Sequence, residues 1–293
     1  MANEVACAAC SWSTHRQESC RYKSHVKLFY GVSDRGVWSV GSKLIIKERS
    51  DAQPNFEARN ARFLQGNTTI PVPDIIQEWT ESDCSYFLVM KRIPGVPLSA
   101  AWPDLSEPDR DRLARQTAGY LAQLRKLNSS QLQSLHDQPL YSAFLFRNGF
   151  GLPHGPLSSD DQLWQEMAKA LQGIPDKARH RLRSRMPPAA PYTFTHGDLT
   201  TDNVMVEDGN VSGIIDWEAS GYFPVWWEFA STRISQGQDD RDWKALLRKH
   251  MEDHTDACEF WLDYYALSSY PNLDERGVNL LKELELDNEG SST

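Results

Sequence analysis

The sequence predicts an α+β fold in two lobes: a small β-rich N-terminal lobe and a larger, mostly helical C-terminal lobe. Three observations carry this. Short apolar stretches with strand-like alternation fill the chain up to about Met90. Ile93-Pro-Gly-Val-Pro97 then forms a stiff connector. Beyond it, apolar residues recur at helical spacing. At 293 residues the chain is long enough for two lobes. With 40% hydrophobic and 24% charged residues it is globular rather than disordered.

Residues 1–25 are polar and irregular and are read as a partly ordered extension. Cys7 and Cys10 form one Cys-x-x-Cys half, but Cys20, His15 and His25 do not complete a standard zinc pattern. The five cysteines, an odd number, argue against a disulfide framework.

Residues 26–92 form the expected small lobe. Gly31 and Gly36 bound a turn-rich loop. Val37-Trp-Ser-Val40 alternates, Gly41-Ser-Lys43 turns, and Leu44-Ile-Ile-Lys47 reads as a buried strand. A helix follows over about Pro54–Leu64, with Phe56, Asn60, Phe63 and Leu64 on one face. Pro71 and Pro73 interrupt the chain before two further strands, Ile75–Trp79 and Ser85–Met90.

Residues 93–293 form the expected large lobe. A helix over Asp109–Leu127 places Leu113, Tyr120, Leu121, Leu124 and Leu127 on one side, and another runs from about Asp160 to Leu171. Tyr192–Thr195, Val204–Val206 and Val211–Ile215 are short strands. From Asp239 onward the chain is helical and strongly charged.

Composition excludes some functions. The net charge is −9 with no basic stripe, so no nucleic-acid partner is expected. No apolar run approaches the roughly 20 residues needed to span a bilayer, so no membrane partner is expected. The N-terminus lacks a basic start followed by an apolar core, so no secretory signal is read there and a cytoplasmic location is expected.

The chemistry concentrates in Thr195-His-Gly-Asp-Leu-Thr-Thr-Asp-Asn203 and, further on, Ile214-Ile-Asp-Trp-Glu218. A loop aspartate, an asparagine shortly after it and a second aspartate ending a short strand are what kinase-type phosphoryl transfer requires. One carboxylate takes or orients the acceptor's hydroxyl proton. An amide oxygen and the second carboxylate suit magnesium, a hard cation that prefers oxygen ligands. Each piece alone is weak; the combination at this spacing is specific.

The segment resembles the catalytic loop of aminoglycoside phosphotransferases, choline kinases and related kinase-like enzymes. The resemblance covers about Val37 to Ala230. It implies a bilobal protein-kinase-like fold with ATP and Mg2+ as cofactors. By the same resemblance Asp198 is the catalytic base, and Asn203 and Asp216 are metal ligands. The stretches Ala101–Glu107 and Tyr222–Glu228 look most like fungal members.

Such a small lobe needs a strand lysine on the phosphates and a helix carboxylate to hold it. Lys47 and Glu57 stand at the matching positions. Ser33, or backbone N–H groups of its loop, is placed to meet a phosphate, although the Gly31–Gly36 loop departs from Gly-x-Gly-x-x-Gly. Met90, Lys91 and Ile93 fall where the family's hinge meets adenine. Many members carry an acidic residue where Lys91 stands.

The expected acceptor is a hydroxyl of a small molecule resembling an aminoglycoside, amino alcohol or sugar. Gly197 follows His196 where many protein kinases carry arginine, and only a short run separates Asp216 from Pro224. That leaves little room for an activation loop. Asp239, Asp240, Asp242, Glu252, Asp253, Asp256, Glu259 and Asp263, with Trp226, Trp227, Trp261, Tyr264 and Tyr265, are compatible with a site for a cationic acceptor. They are equally compatible with a solvated helix face and core aromatics. The alternatives are a non-catalytic nucleotide-binding module and a protein kinase.

Overall fold

The computed structural model describes residues 25–32, 35–50, 55–147 and 151–286. Ser33 and the N-terminal cysteines lie outside the described residues. Among the described residues the chain divides into two compact units. One takes the chain up to Pro54 together with Pro73–Arg92; the other takes Asn55–Val72 and everything from Ile93 on.

The first unit is an antiparallel five-stranded sheet of β1 (Val26–Val32), β2 (Arg35–Val40), β3 (Leu44–Ser50), β4 (Ile75–Thr80) and β5 (Ser85–Lys91), in the order β1-β2-β3-β5-β4. The β2–β3 turn uses Gly41 at φ +63°. Along β5 burial alternates, with Tyr86, Leu88 and Met90 inward, as the pleat requires when one face is covered.

The second unit contains α1 (Glu57–Asn67), β6 (Val96–Pro97), α2 (Leu98–Ala101), α3 (Glu107–Leu124), β7 (Asn128–Ser129), α4 (Asp160–Ala168) and α5 (Asp176–Ser184). It continues through β8 (Tyr192–Thr195), β9 (Val204–Glu207), β10 (Asn210–Ile214), β11 (Gly221–Pro224), α6 (Trp227–Ser231), α7 (Gln238–Arg248), α8 (Thr255–Leu267) and α9 (Glu275–Glu285). Its strands form two small sheets, β10-β9-β6 and β11-β8-β7. Among the described residues no helix is long and apolar enough to cross a membrane.

The expected small lobe, 26–92, differs from the contact division in one element: α1 groups with the larger unit. Asn60 explains why. It is fully buried, and its side-chain amide donates to the carbonyls of Trp217 (2.7 Å) and Ser220 (3.3 Å). Leu64 on the same helix joins a core cluster with Leu113, Leu121, Phe194, Ile214, Trp217, Trp243 and Leu247. The helix begins at Glu57 rather than at Pro54.

Helix α3 runs over Glu107–Leu124 rather than the expected Asp109–Leu127, because its cap lies upstream of Asp109. Ser106 accepts the Asp109 N–H as N-cap and Pro108 occupies the first turn. A second core cluster gathers Trp226, Trp227, Trp261, Tyr264 and residues of α4, α5 and α9.

Candidate active site

The hairpin β9–β10 sets the geometry. Its turn is Asp208-Gly209, with φ +50° and +72°, the left-handed pair that a two-residue hairpin demands. The turn pairs Glu207 with Asn210, and a bulge between Val211 and Gly213 shifts the register by one so that Val204 meets Ile214. The next residues outward are therefore Asn203 on one strand and Ile215, then Asp216, on the other. The Ile215 N–H donates to the Asn203 carbonyl at 2.9 Å and closes the ladder there. Two residues far apart in sequence are thus placed together by one turn.

Asn203 is held further by its side chain. Its Nδ2 donates to the Asp198 carbonyl at 2.8 Å. A carbonyl only accepts, so the amide nitrogen faces that bond and Oδ1 faces away. Asp216 adopts the left-handed region, φ +65° and ψ +57°, a conformation that aspartate tolerates better than most side chains.

His196 organises the start of the loop. The ring is fully buried. Its Nε2 lies 2.9 Å from the Ile215 carbonyl, and its Nδ1 accepts the Asp198 N–H at 3.2 Å. Those partners require the neutral tautomer with the proton on Nε2. His196 thereby ties Asp198 to the strand that carries Asp216. Trp217 lies against the ring, 4.5 Å between centroids.

Gly197 cannot be another residue without distortion. Its φ is +87°, and a Cβ there would stand 2.5 Å from the Ala219 carbonyl oxygen. Behind the loop, the His196 N–H donates to Glu228 Oε2 at 2.8 Å and Ser220 Oγ donates to the His196 carbonyl at 2.9 Å. Glu228, on α6, was not among the sequence-derived candidates. Burial pushes its carboxyl up to about 7, against the opposing pull of the His196 N–H, Arg125 and Lys244.

The Asp198 carboxyl is half-buried. Burial first, and the Asp216 carboxylate second, push it above the usual carboxylate range, while Lys244 pulls it down. Asp216 also forms a group with Glu57 and Glu218, whose candidate ligand atoms all lie within 4.8 Å of one another. Three carboxylates so close repel one another unless a cation or protons intervene. Glu57 stands at the start of α1 and is buried. Its nearness to Asp216 and Glu218, and the presence of Glu218, are not legible from spacing alone. These hard oxygen donors suit magnesium.

The remaining sequence-derived candidates lie as follows. Lys47 is buried on β3, opposite Leu88 of β5, so Lys47, Leu88 and Met90 share one face of the first unit's sheet. The Lys91 N–H is used within that sheet, donating to the Asp74 carbonyl at 2.9 Å, and its ammonium pairs with the Asp74 carboxylate at 2.8 Å. Ile93, in the second unit, packs its side chain toward Gly213. Ser33 lies outside the described residues.

Most of the C-terminal aromatics, and the acids Asp240, Glu259 and Asp263, are engaged within the fold. Trp226, Trp227, Trp261 and Tyr264 are core residues, each no more than 2% exposed. Arg276 engages Asp263 and Glu259 at 2.6 and 2.8 Å, and Asp240 pairs with Lys244. Tyr265 is exposed, but its ring already carries the Arg147 guanidinium at 4.3 Å. For Trp226, Trp227, Trp261 and Tyr264, helix packing, which the linear sequence does not encode locally, makes them core aromatics.

The β-sheet N-terminal unit, the mostly helical second unit and the loop from His196 to Asn203 with its neighbouring strand end at Asp216 fit one class: a phosphotransferase of α+β, kinase-like fold. The chain belongs to the APH phosphotransferase enzyme family, whose model matches residues 31–261. No curated protein matches it in sequence. Among solved structures it is similar to the aminoglycoside phosphotransferase APH(2'')-IIa in a ternary complex with streptomycin and ATP. That match has 15% identity, covers 92% of this chain and 93% of that one, and has a TM-score of 0.55. It is also similar to aminoglycoside phosphotransferase APH(4)-Ia (14% identity, 88% and 90% covered, TM-score 0.57). A third is the GDP complex of aminoglycoside 2'-phosphotransferase-IIIa (14%, 88% and 91%, 0.56). At these identities the likeness is one of fold.

Proposed function

We propose that this protein transfers the γ-phosphoryl group of magnesium-ATP to a hydroxyl of a small molecule resembling an aminoglycoside, amino alcohol or sugar. One observation carries the reading. The Asp198 carboxyl stands on a loop whose backbone is fixed by His196 and Asn203, and the His196 ring joins that loop to Ile215, the neighbour of Asp216. Solved neighbours in complex with ATP and streptomycin, or with GDP, make nucleotide and aminoglycoside chemistry the natural starting point.

Asp198 orients the acceptor hydroxyl and takes its proton as the oxygen attacks. A carboxyl raised by burial is a better base than an exposed one. Asn203, through Oδ1, and Asp216 hold magnesium, with Glu218 as a further oxygen donor beside Asp216. Bound there, magnesium offsets the charge of the phosphate oxygens. Lys47 engages the phosphates, and Glu57 is the carboxylate that orients it. Ser33 or its neighbouring N–H groups cover the phosphates. Met90, Lys91 and Ile93 line the adenine. Positioning and charge supply most of the catalysis in this chemistry.

The segment after Asp216 supports a small acceptor. A short 3-10 turn (Trp217–Ala219), β11 and α6 follow in quick succession, which leaves no length for an activation loop. Within the family we read Ala101–Glu107 and Tyr222–Glu228 as nearest to fungal members. A cytoplasmic setting, where ATP is available, fits the reading.

The test is ADP release from magnesium-ATP against aminoglycosides, amino alcohols and sugars, with a generic protein substrate as comparison. Acceptor-dependent release with a small molecule supports the reading. Release only with protein, or with no acceptor in a broad panel, contradicts it.

A further inference from the structure

Helix α7 carries a buried ion pair that the phosphotransfer roles above do not use. Asp240 and Lys244 stand one turn apart, their charged groups 2.8 Å from each other, with side chains 4% and 5% exposed. They occupy the core-facing stripe of α7 with Trp243 and Leu247. Burying two charges costs several kcal/mol per ion before their attraction is counted, and such pairs are often replaceable by apolar residues without loss of stability. Stability alone is therefore a poor account of this one.

The hydrogen bonds show what else it does. Asp240 Oδ2 accepts the Gln236 N–H at 3.1 Å, an ordinary service to the start of its own helix. Asp240 Oδ1 instead leaves the helix and accepts the N–H of Thr201 at 3.0 Å. Thr201 lies between Asp198 and Asn203, and it is buried. Lys244 holds the carboxylate from the other side while its ammonium also donates to the Ile234 carbonyl at 2.6 Å. The far side of the same loop segment is tied to α2, where the Ser99 N–H donates to the Thr201 carbonyl at 3.1 Å and Ser99 Oγ donates to Asp202 at 2.5 Å. The Thr201 peptide is thus held on both its N–H and its C=O sides.

We propose that Asp240, held by Lys244, is a positioning residue for phosphoryl transfer, fixing through the Thr201 N–H the spacing between Asp198 and Asn203. This rests on the proposed function. Lys244 has a second consequence. Among the described residues, Lys244 is a cation that acts on Asp198 against the carboxylates of Asp216, Asp240 and Asp202. It therefore counters the negative charge gathered around the base.

The experiment compares two double variants with the wild type. In Asp240→Leu/Lys244→Met both charges and the anchoring oxygen are gone, yet no lone charge stays buried. In Asp240→Asn/Lys244→Met the oxygen for the Thr201 N–H is retained. The expected result is a kcat loss on the order of 100-fold in the Leu/Met variant, the scale of a small misplacement of reacting groups. KM for ATP and the melting temperature should stay near the wild type, and the Asn/Met variant should recover most of kcat. Wild-type kcat in the folded Leu/Met variant overturns the proposal, as does a loss of kcat that merely tracks loss of fold in both variants.

If the Leu/Met variant does not fold, amide exchange on the wild type decides. Thr201 should exchange as slowly as α7, and exchange at the rate of an open loop overturns the proposal. That readout needs no turnover, so it separates failure of this inference from failure of the functional reading, which would appear as an inactive wild type.

Discussion

Replacing Glu228 by glutamine isolates one buried charge behind the catalytic loop. The wild-type carboxyl is pushed from 4.5 up to about 7, chiefly by burial. An acid whose pKa is higher folded than unfolded binds more protons in the native state between those two values. Its contribution to stability is therefore fully present below about 4.5 and is lost as pH rises through 7. A shift of this size corresponds to about 3 kcal/mol, most of it falling between pH 5 and 8.

Glutamine cannot ionise, and its side-chain oxygen still accepts the His196 N–H. Urea unfolding of both proteins at several pH values gives the comparison, because every other titrating group is shared. The stability of Glu228→Gln relative to wild type should rise by about 2–3 kcal/mol from pH 5 to pH 8. Parallel stability curves across that range would refute the argument, since they would mean that Glu228 is ionised throughout and paid no desolvation cost.

Other outcomes follow from the same geometry. Gly197→Ala should cost more than the roughly 1–2 kcal/mol of a left-handed alanine, because its Cβ also meets the Ala219 carbonyl; chemical denaturation and turnover should both register the loss. Asn60→Ala removes the donor shared by the Trp217 and Ser220 carbonyls and should destabilise by about 1–3 kcal/mol, read by thermal melting. Asn203→Ala and Asp216→Asn should each raise the magnesium concentration needed for half-maximal turnover. An unchanged magnesium titration in both would remove them from the metal site.

The fold was legible where pattern and punctuation coincide. β5 alternates in burial along its length, and the buried face of α3 carries Leu113, Leu121 and Leu124 at the helical spacing that announced it. The helix α5 was not anticipated, because it buries only Ala178 and Leu182 in a strongly polar stretch. The loop from His196 to Asn203 stood out as a candidate because its polar residues lie close together in sequence. Glu228, by contrast, acquires its contact with the His196 N–H only when α6 docks behind the loop. Glu57 was read as a lysine partner, yet its neighbours in the second unit include Asp216 and Glu218, a grouping set by packing of α1 on the Trp217 turn. Asp240 and Lys244 did leave a local signal, since with Trp243 and Leu247 they form a helical stripe in which two core-facing positions are charged.

The most direct measurement is acceptor-dependent ADP release by wild type and Asp198→Asn, with nucleotide binding measured on both. The wild type should turn over a hydroxylated small molecule with magnesium, the variant essentially not at all, and the two should bind nucleotide with similar affinity. Equal turnover by Asp198→Asn would contradict the assignment of the base and, with it, the role given to the loop from His196 to Asn203.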